Sequence, residues 1–251
     1  MRCGRCSEVA IRGAAFLLTF AALLSVARAQ VGPCAPDGHN GLVCGTGVGG
    51  ARVVDGSVSP SNRFALAWSS KKTGPLDQNV DNWPYDLEDM VIRIVDGAVL
   101  ARVPGIYFDT GQLHSNHESE TGSWSPDSHY LVESVQDRYA TPRFELYAIE
   151  AGDRLIGPVD LNTIVEPALR ARLRDSGRDD KGYDLQLLED SHTGNPVITV
   201  DRHGVIRTQA MLHVAHSELQ RTYDVVLEIV QKGAALDAKL VSVKVSRQQP
   251  W

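Results

Sequence analysis

Two imidazoles and a carboxylate fall within five residues at His114-Ser-Asn-His117-Glu118. Neutral imidazole and carboxylate both ligate zinc and both act as general bases, so this cluster could hold a zinc ion or move a proton. His213 and His216 could add ligands from a distant part of the chain. On a helix that second pair would share a face, but on the strand expected there the two point to opposite faces. The H-x-x-H-E spacing matches neither established helical zinc-protease arrangement. The ordinary reading is therefore a polar loop with solvated histidines.

Other chemistry is sparser. No G-x-S-x-G elbow is present, and Thr121-Gly122-Ser123-Trp124-Ser125 lacks the second glycine. Two aromatics, Trp83 and Tyr85, sit in a polar stretch flanked by Asp81, Asp86, Glu88 and Asp89. Such rings can anchor a partner, or fold back as a lid on a core. Asp175 to Asp184 and Asp37 to Asn40 are oxygen-rich, yet neither follows the spacing of a calcium loop. The glycine run Gly45 to Gly50 has no strand signal before it and no helix signal after it, so it is no phosphate loop.

Compartment follows from the first 29 residues. Arg2, Arg5 and Arg12 precede the apolar run Ala14 to Val26, and Ala27-Arg28-Ala29 supplies a small-x-small cleavage site before Gln30. Residues 1–29 are expected to be a signal peptide, and the mature chain to be periplasmic or extracellular. The run is shorter than the roughly 20 residues a spanning helix needs, and no later segment is a candidate span. Removing residues 1–29 takes away four basic residues and one acidic residue, moving the net charge from −6 to −9. That sign disfavours nucleic acid as a partner. Cys34 and Cys44 then remain and flank Asp37-Gly38 and Asn40-Gly41, which can turn the chain back. An oxidising compartment makes a disulfide the default, contributing about 2.5–3 kcal/mol. A metal pair joined by His39 is the alternative, although structural zinc wants four ligands.

The elements that must position these residues are mostly strands. Residues 30–50 read as a disulfide-stapled N-terminal loop, and residues 51–251 as a mainly-β domain with a sub-boundary near 175–182. Short apolar runs bounded by turn residues begin at Phe64, Met90, Ala98, Tyr130 and Phe144. Asp96-Gly97 signals a hairpin, as do His203-Gly204 and Lys232-Gly233 near the C-terminus. One helix is expected, starting near Glu166 with Pro167 in its first turn, Leu169 and Leu173 on one face and Gly177 at its end.

One pattern recurs. Ser59-Pro60-Ser61-Asn62-Arg63-Phe64 and Ser125-Pro126-Asp127-Ser128-His129-Tyr130 share Ser-Pro, two small polar residues, a basic or imidazole residue and an aromatic leading into a strand. Trp124-Ser125-Pro126-Asp127-Ser128 resembles the blade signature of the β-propellers in the Tol-system periplasmic protein and the prolyl oligopeptidase relatives. From Ser57 to Leu161 the chain also resembles a group of uncharacterised exported bacterial proteins with an Asn-His stretch and a WSPDS turn. The resemblance implies blade-like antiparallel sheets. The two copies start 66 residues apart, however, whereas propeller blades repeat about every 40–50. No clear third copy is visible, and closure takes about four blades or more.

These readings imply a mainly-β, partial or small propeller-like fold of blade-like antiparallel sheets with one short α-helix. The function expected is a non-catalytic binding module whose partner is a protein or a cell-envelope component. No cofactor is required by that reading. The alternative is a metal-dependent exported hydrolase using His114, His117 and Glu118 with zinc.

Overall fold

Continuous apolar runs become strands where both faces of a sheet are covered, and alternating runs where one face is, and these two patterns account for most of the described residues. A computed structural model describes residues 30–38, 41–72, 74, 87–103, 119–137, 140–177, 182–190, 196–213 and 221–247. The described residues are mainly β, in three antiparallel sheets with a single helix and no closed barrel.

The first sheet runs in chain order through β1 (Cys34–Pro36), β2 (Leu42–Cys44), β3 (Ala51–Val53), β4 (Phe64–Ser70), β5 (Leu87–Arg93) and β6 (Ala98–Val103). Residues 30–50, read from the sequence as a loop, thus contribute two strands, with Cys34 directly opposite Cys44 and joined to it by a disulfide. The glycine run does follow a strand, but a 3-10 turn at Gly47–Gly49 and then β3 come next, not an α-helix.

The second sheet is a four-stranded meander of β7 (Ser119–Trp124), β8 (Tyr130–Gln136), β9 (Arg143–Glu150) and β10 (Arg154–Asp160). After α1 (Asn162–Asp175) comes a third sheet of β11 (Asp184–Leu187), β12 (Ile198–Val200), β13 (Val205–His213), β14 (Thr222–Lys232) and β15 (Ala235–Val245). Both β11 and β12 pair with β13, one at its end and one at its start.

Three corners repeat, one per sheet. The Ser59, Ser125 and Asp201 N–H groups donate to the carbonyls of Phe64, Tyr130 and Val205 at 2.8, 2.9 and 3.0 Å. The strand residue donates back to the corner side chain: Phe64 N to Ser59 Oγ at 3.1 Å, Tyr130 N to Ser125 Oγ at 2.9 Å, and Val205 N to Asp201 Oδ1 at 3.0 Å. Each corner has one left-handed residue, Asn62 (φ 55°), Ser128 (φ 60°) or Gly204 (φ 75°). The third corner is one residue shorter and lacks proline, and so is invisible as a sequence copy. Aspartate supplies the acceptor that serine supplies elsewhere, and glycine adopts the left-handed conformation at little cost.

The helix starts at Asn162, earlier than its composition suggests, and contains Pro167. Leu161, Val165, Leu169 and Leu173 recur every fourth residue and are buried, and that stripe draws the first turn onto the core. The carbonyl that Pro167 deprives of its helical donor is that of Thr163. Both residues are exposed, so water can serve that carbonyl. Asp160 caps the start, accepting from Asn162 N at 2.9 Å while its own carbonyl accepts from Thr163 Oγ1 at 2.7 Å.

The second sheet lies between the other two. Val132, Phe144 and Leu146 on one face pack with α1 and with Ile206, Val225 and Leu227 of the third sheet. Leu131 and Tyr147 on the other face meet Leu66, Trp68, Leu87, Val91 and Val103 of the first sheet. Gly122 permits this approach, because a Cβ there would stand 2.8 Å from Leu66 Cδ1.

Candidate functional site

The corners gather at one end of the molecule. Ser61 N donates to Ser128 Oγ at 3.0 Å, joining the first two corners. Tyr130 Oη donates to Gln231 Oε1 at 3.2 Å, tying the second corner to the third sheet beside its own corner. The antiparallel register then sends 71–86, 104–118 and 214–221 out of the opposite end, where β4, β6 and β13 finish and β5, β7 and β14 begin. Between the second and third sheets this opposite end is pinned by Leu187 N donating to Thr141 Oγ1 at 2.9 Å and Gln136 Nε2 to Glu189 Oε1 at 3.0 Å.

Trp83, Tyr85, His114, His117 and Glu118 belong to these connections and lie outside the described residues, as does His216. His213 is the partly buried last residue of β13. Ser125 is a buried corner residue whose Oγ accepts from Tyr130 N and donates to Asp127 Oδ1 at 2.6 Å. Its hydroxyl is thus committed to the turn. Asp175, Ser176, Gly177 and Gly182 are exposed, as expected of a charged surface loop.

Sequence reading missed a carboxylate cluster between the first two sheets. One oxygen from each of Asp89, Glu120 and Glu133 lies within 4.8 Å of the others. Asp89 sits on β5, Glu120 is the second residue of β7, and Glu133 is on β8 across the ladder from Gly122. Asp89 is 1% exposed and Glu133 0%. The Glu120 residue is only partly covered, but both its carboxylate oxygens are shut off from solvent and accept no hydrogen bond.

Arg143, at the start of β9, is the cation of this group. Its Nη2 donates to Asp89 Oδ2 at 3.2 Å and its Nη1 stands 3.4 Å from Glu133 Oε1. Neighbouring Glu145 accepts from Tyr147 Oη at 2.6 Å. Three buried carboxylates therefore share one guanidinium. Burial pushes the Glu120 carboxyl well above the usual range, and the Asp89 and Glu133 charges add to that. Burial likewise pushes Glu133 up to about 7, although Arg143 pulls it down. Desolvation alone would lower the Arg143 pKa, but Glu133, Asp89, Glu120 and Glu145 outweigh it and hold the guanidinium charged. Such a site can keep protons at neutral pH or accept a hard cation.

One signal in the sequence pointed here. Tyr130-Leu-Val-Glu-Ser-Val135 places a glutamate inside a strand covered on both faces, and a buried charge asks for a partner. The spacing of residues 89, 120 and 133 carries no template. Comparison with protein families and with curated proteins finds no match.

Proposed function

We propose that the protein is an exported, non-catalytic binding module of the cell envelope that engages a protein or envelope component through the end from which its long connections emerge. One observation carries this reading. The three corners and their hydrogen bonds occupy one end, while 71–86, 104–118 and 214–221 leave from the other. Ladders hold the strand ends in fixed relation, and variable recognition is concentrated in connections presented by a rigid scaffold. The aromatics Trp83 and Tyr85 fall in the first connection and His114, His117 and Glu118 in the second. The disulfide in the first sheet agrees with an oxidising compartment, and no helix among the described residues is long and apolar enough to cross a membrane.

A photo-crosslinking residue placed at Trp83 in the full-length protein in its native envelope should give a discrete adduct, whereas one at Pro126 on the corner end should not. Equal adducts from both ends, or none from position 83, would overturn the reading. Stoichiometric zinc in untagged protein, lost together with hydrolytic turnover in His117→Ala, would replace it with the hydrolase.

A further inference from the structure

We propose that Asp89, Glu120 and Glu133 form a calcium site that ties the first sheet to the second. Donor chemistry selects the class of ion. All three side chains offer carboxylate oxygen and none offers nitrogen or sulfur, a set that suits hard cations and disfavours zinc or copper. Charge favours a divalent ion. Among the described residues Arg143 is the cation at this group, and three carboxylates that give up their protons to a metal carry more negative charge than one guanidinium offsets.

The oxygens lie within 4.8 Å of one another, near enough for one ion to touch all three. Calcium takes several protein oxygens in flexible geometry, whereas magnesium demands near-octahedral geometry and keeps several waters, so three strand-borne carboxylates in a covered site suit calcium.

Glu120 supplies the independent observation. A carboxylate with both oxygens buried and no hydrogen bond to either is costly unless something neutralises it. No lysine or arginine ion pair is formed by Glu120 among the described residues, and its carboxylate faces Asp89 and Glu133. The donors are also held in place. Each lies on a strand paired on both sides or directly beside such a strand, and Gly122, opposite Glu133, adds no side chain to the space between them. Calcium would thus bridge β5 of the first sheet to β7 and β8 of the second, close to where 71–86 and 104–118 begin and end.

The test uses the untagged full-length protein as exported, stripped with chelator and titrated calorimetrically with calcium chloride, with thermal melting in parallel. The expected result is one calcium per chain with a raised melting temperature. Glu120→Gln should lose about tenfold or more in affinity, Glu133→Gln should behave likewise, and the control Glu228→Gln, a partly exposed residue of the third sheet paired with Lys239, should bind as the parent does. Absence of calcium binding by the parent protein overturns the proposal. So does a folded Glu120→Gln that binds as tightly as the parent, or magnesium bound as tightly as calcium.

Discussion

The two faces of the second sheet meet their neighbours by different means. Toward the third sheet and α1, the contact is mainly apolar, built on Val132, Phe144 and Leu146 against Leu169, Ile206, Val225 and Leu227, with hydrogen bonds such as Leu187 N to Thr141 Oγ1 at its ends. Toward the first sheet, apolar packing around Leu66, Val91, Leu131 and Tyr147 gives way at the loop-bearing end to Asp89, Glu120, Glu133 and Arg143. The first contact is stabilised mainly by buried apolar area, which is non-directional and indifferent to pH. The second depends on ionisation, because buried like charges repel and, among the described residues, the Arg143 guanidinium is what offsets them. One interface should therefore be constitutive and the other responsive to protons and cations.

The largest effect should come from opening the apolar face. Phe144→Ala removes a ring that is 0% exposed, and about 4 kcal/mol of stability should be lost in denaturant unfolding. An unchanged midpoint would mean that the second and third sheets do not depend on this packing. Next, Arg143→Met in calcium-free protein at pH 8 should cost about 3 kcal/mol, since it leaves buried carboxylates without their cation. A loss that shrinks at pH 5 would separate the charge from the packing of the arginine stem.

The smallest effect concerns pH itself. Glu133 has an ordinary pKa of 4.5 and is pushed up to about 7 in the fold, and Glu120 is shifted the same way. Between those values the folded chain binds more protons than the unfolded one. The stability contributed by Glu133 is thus complete below about 4.5 and is lost as pH rises through about 7. Calcium-free protein should lose on the order of 2 kcal/mol across that window. Glu133→Gln should flatten the slope, which melting temperatures from pH 5 to 8 would measure. A parent protein whose stability rises over that range would contradict the assignment.

Much of the scaffold was legible in the residues. The runs beginning at Phe64, Tyr130 and Val205 alternate or saturate in apolar side chains and became β4, β8 and β13, and Asp96-Gly97 turned β5 into β6. Polar strands were not legible. Ser119–Trp124 has no apolar alternation, yet it is β7, because β8 supplies its hydrogen bonds and the first sheet covers its inner face. The helix start was misread because a proline inside a helix is tolerated when the orphaned carbonyl faces water, and facing is a tertiary property. The third corner escaped notice because its hydrogen bonds are conserved in geometry while its residue types are exchanged.

By itself, then, the sequence determined the local events. Turn residues set where strands end, two cysteines flanking a turn set a staple, and apolar runs set which segments seek a core. These depend on neighbours within a few positions, where sterics and backbone preference act. Only the tertiary structure decided which charges would share a site. Residues 89, 120 and 133 are brought together by the stacking of two sheets, and their ionisation then depends on burial and on Arg143, neither of which any short stretch of chain encodes.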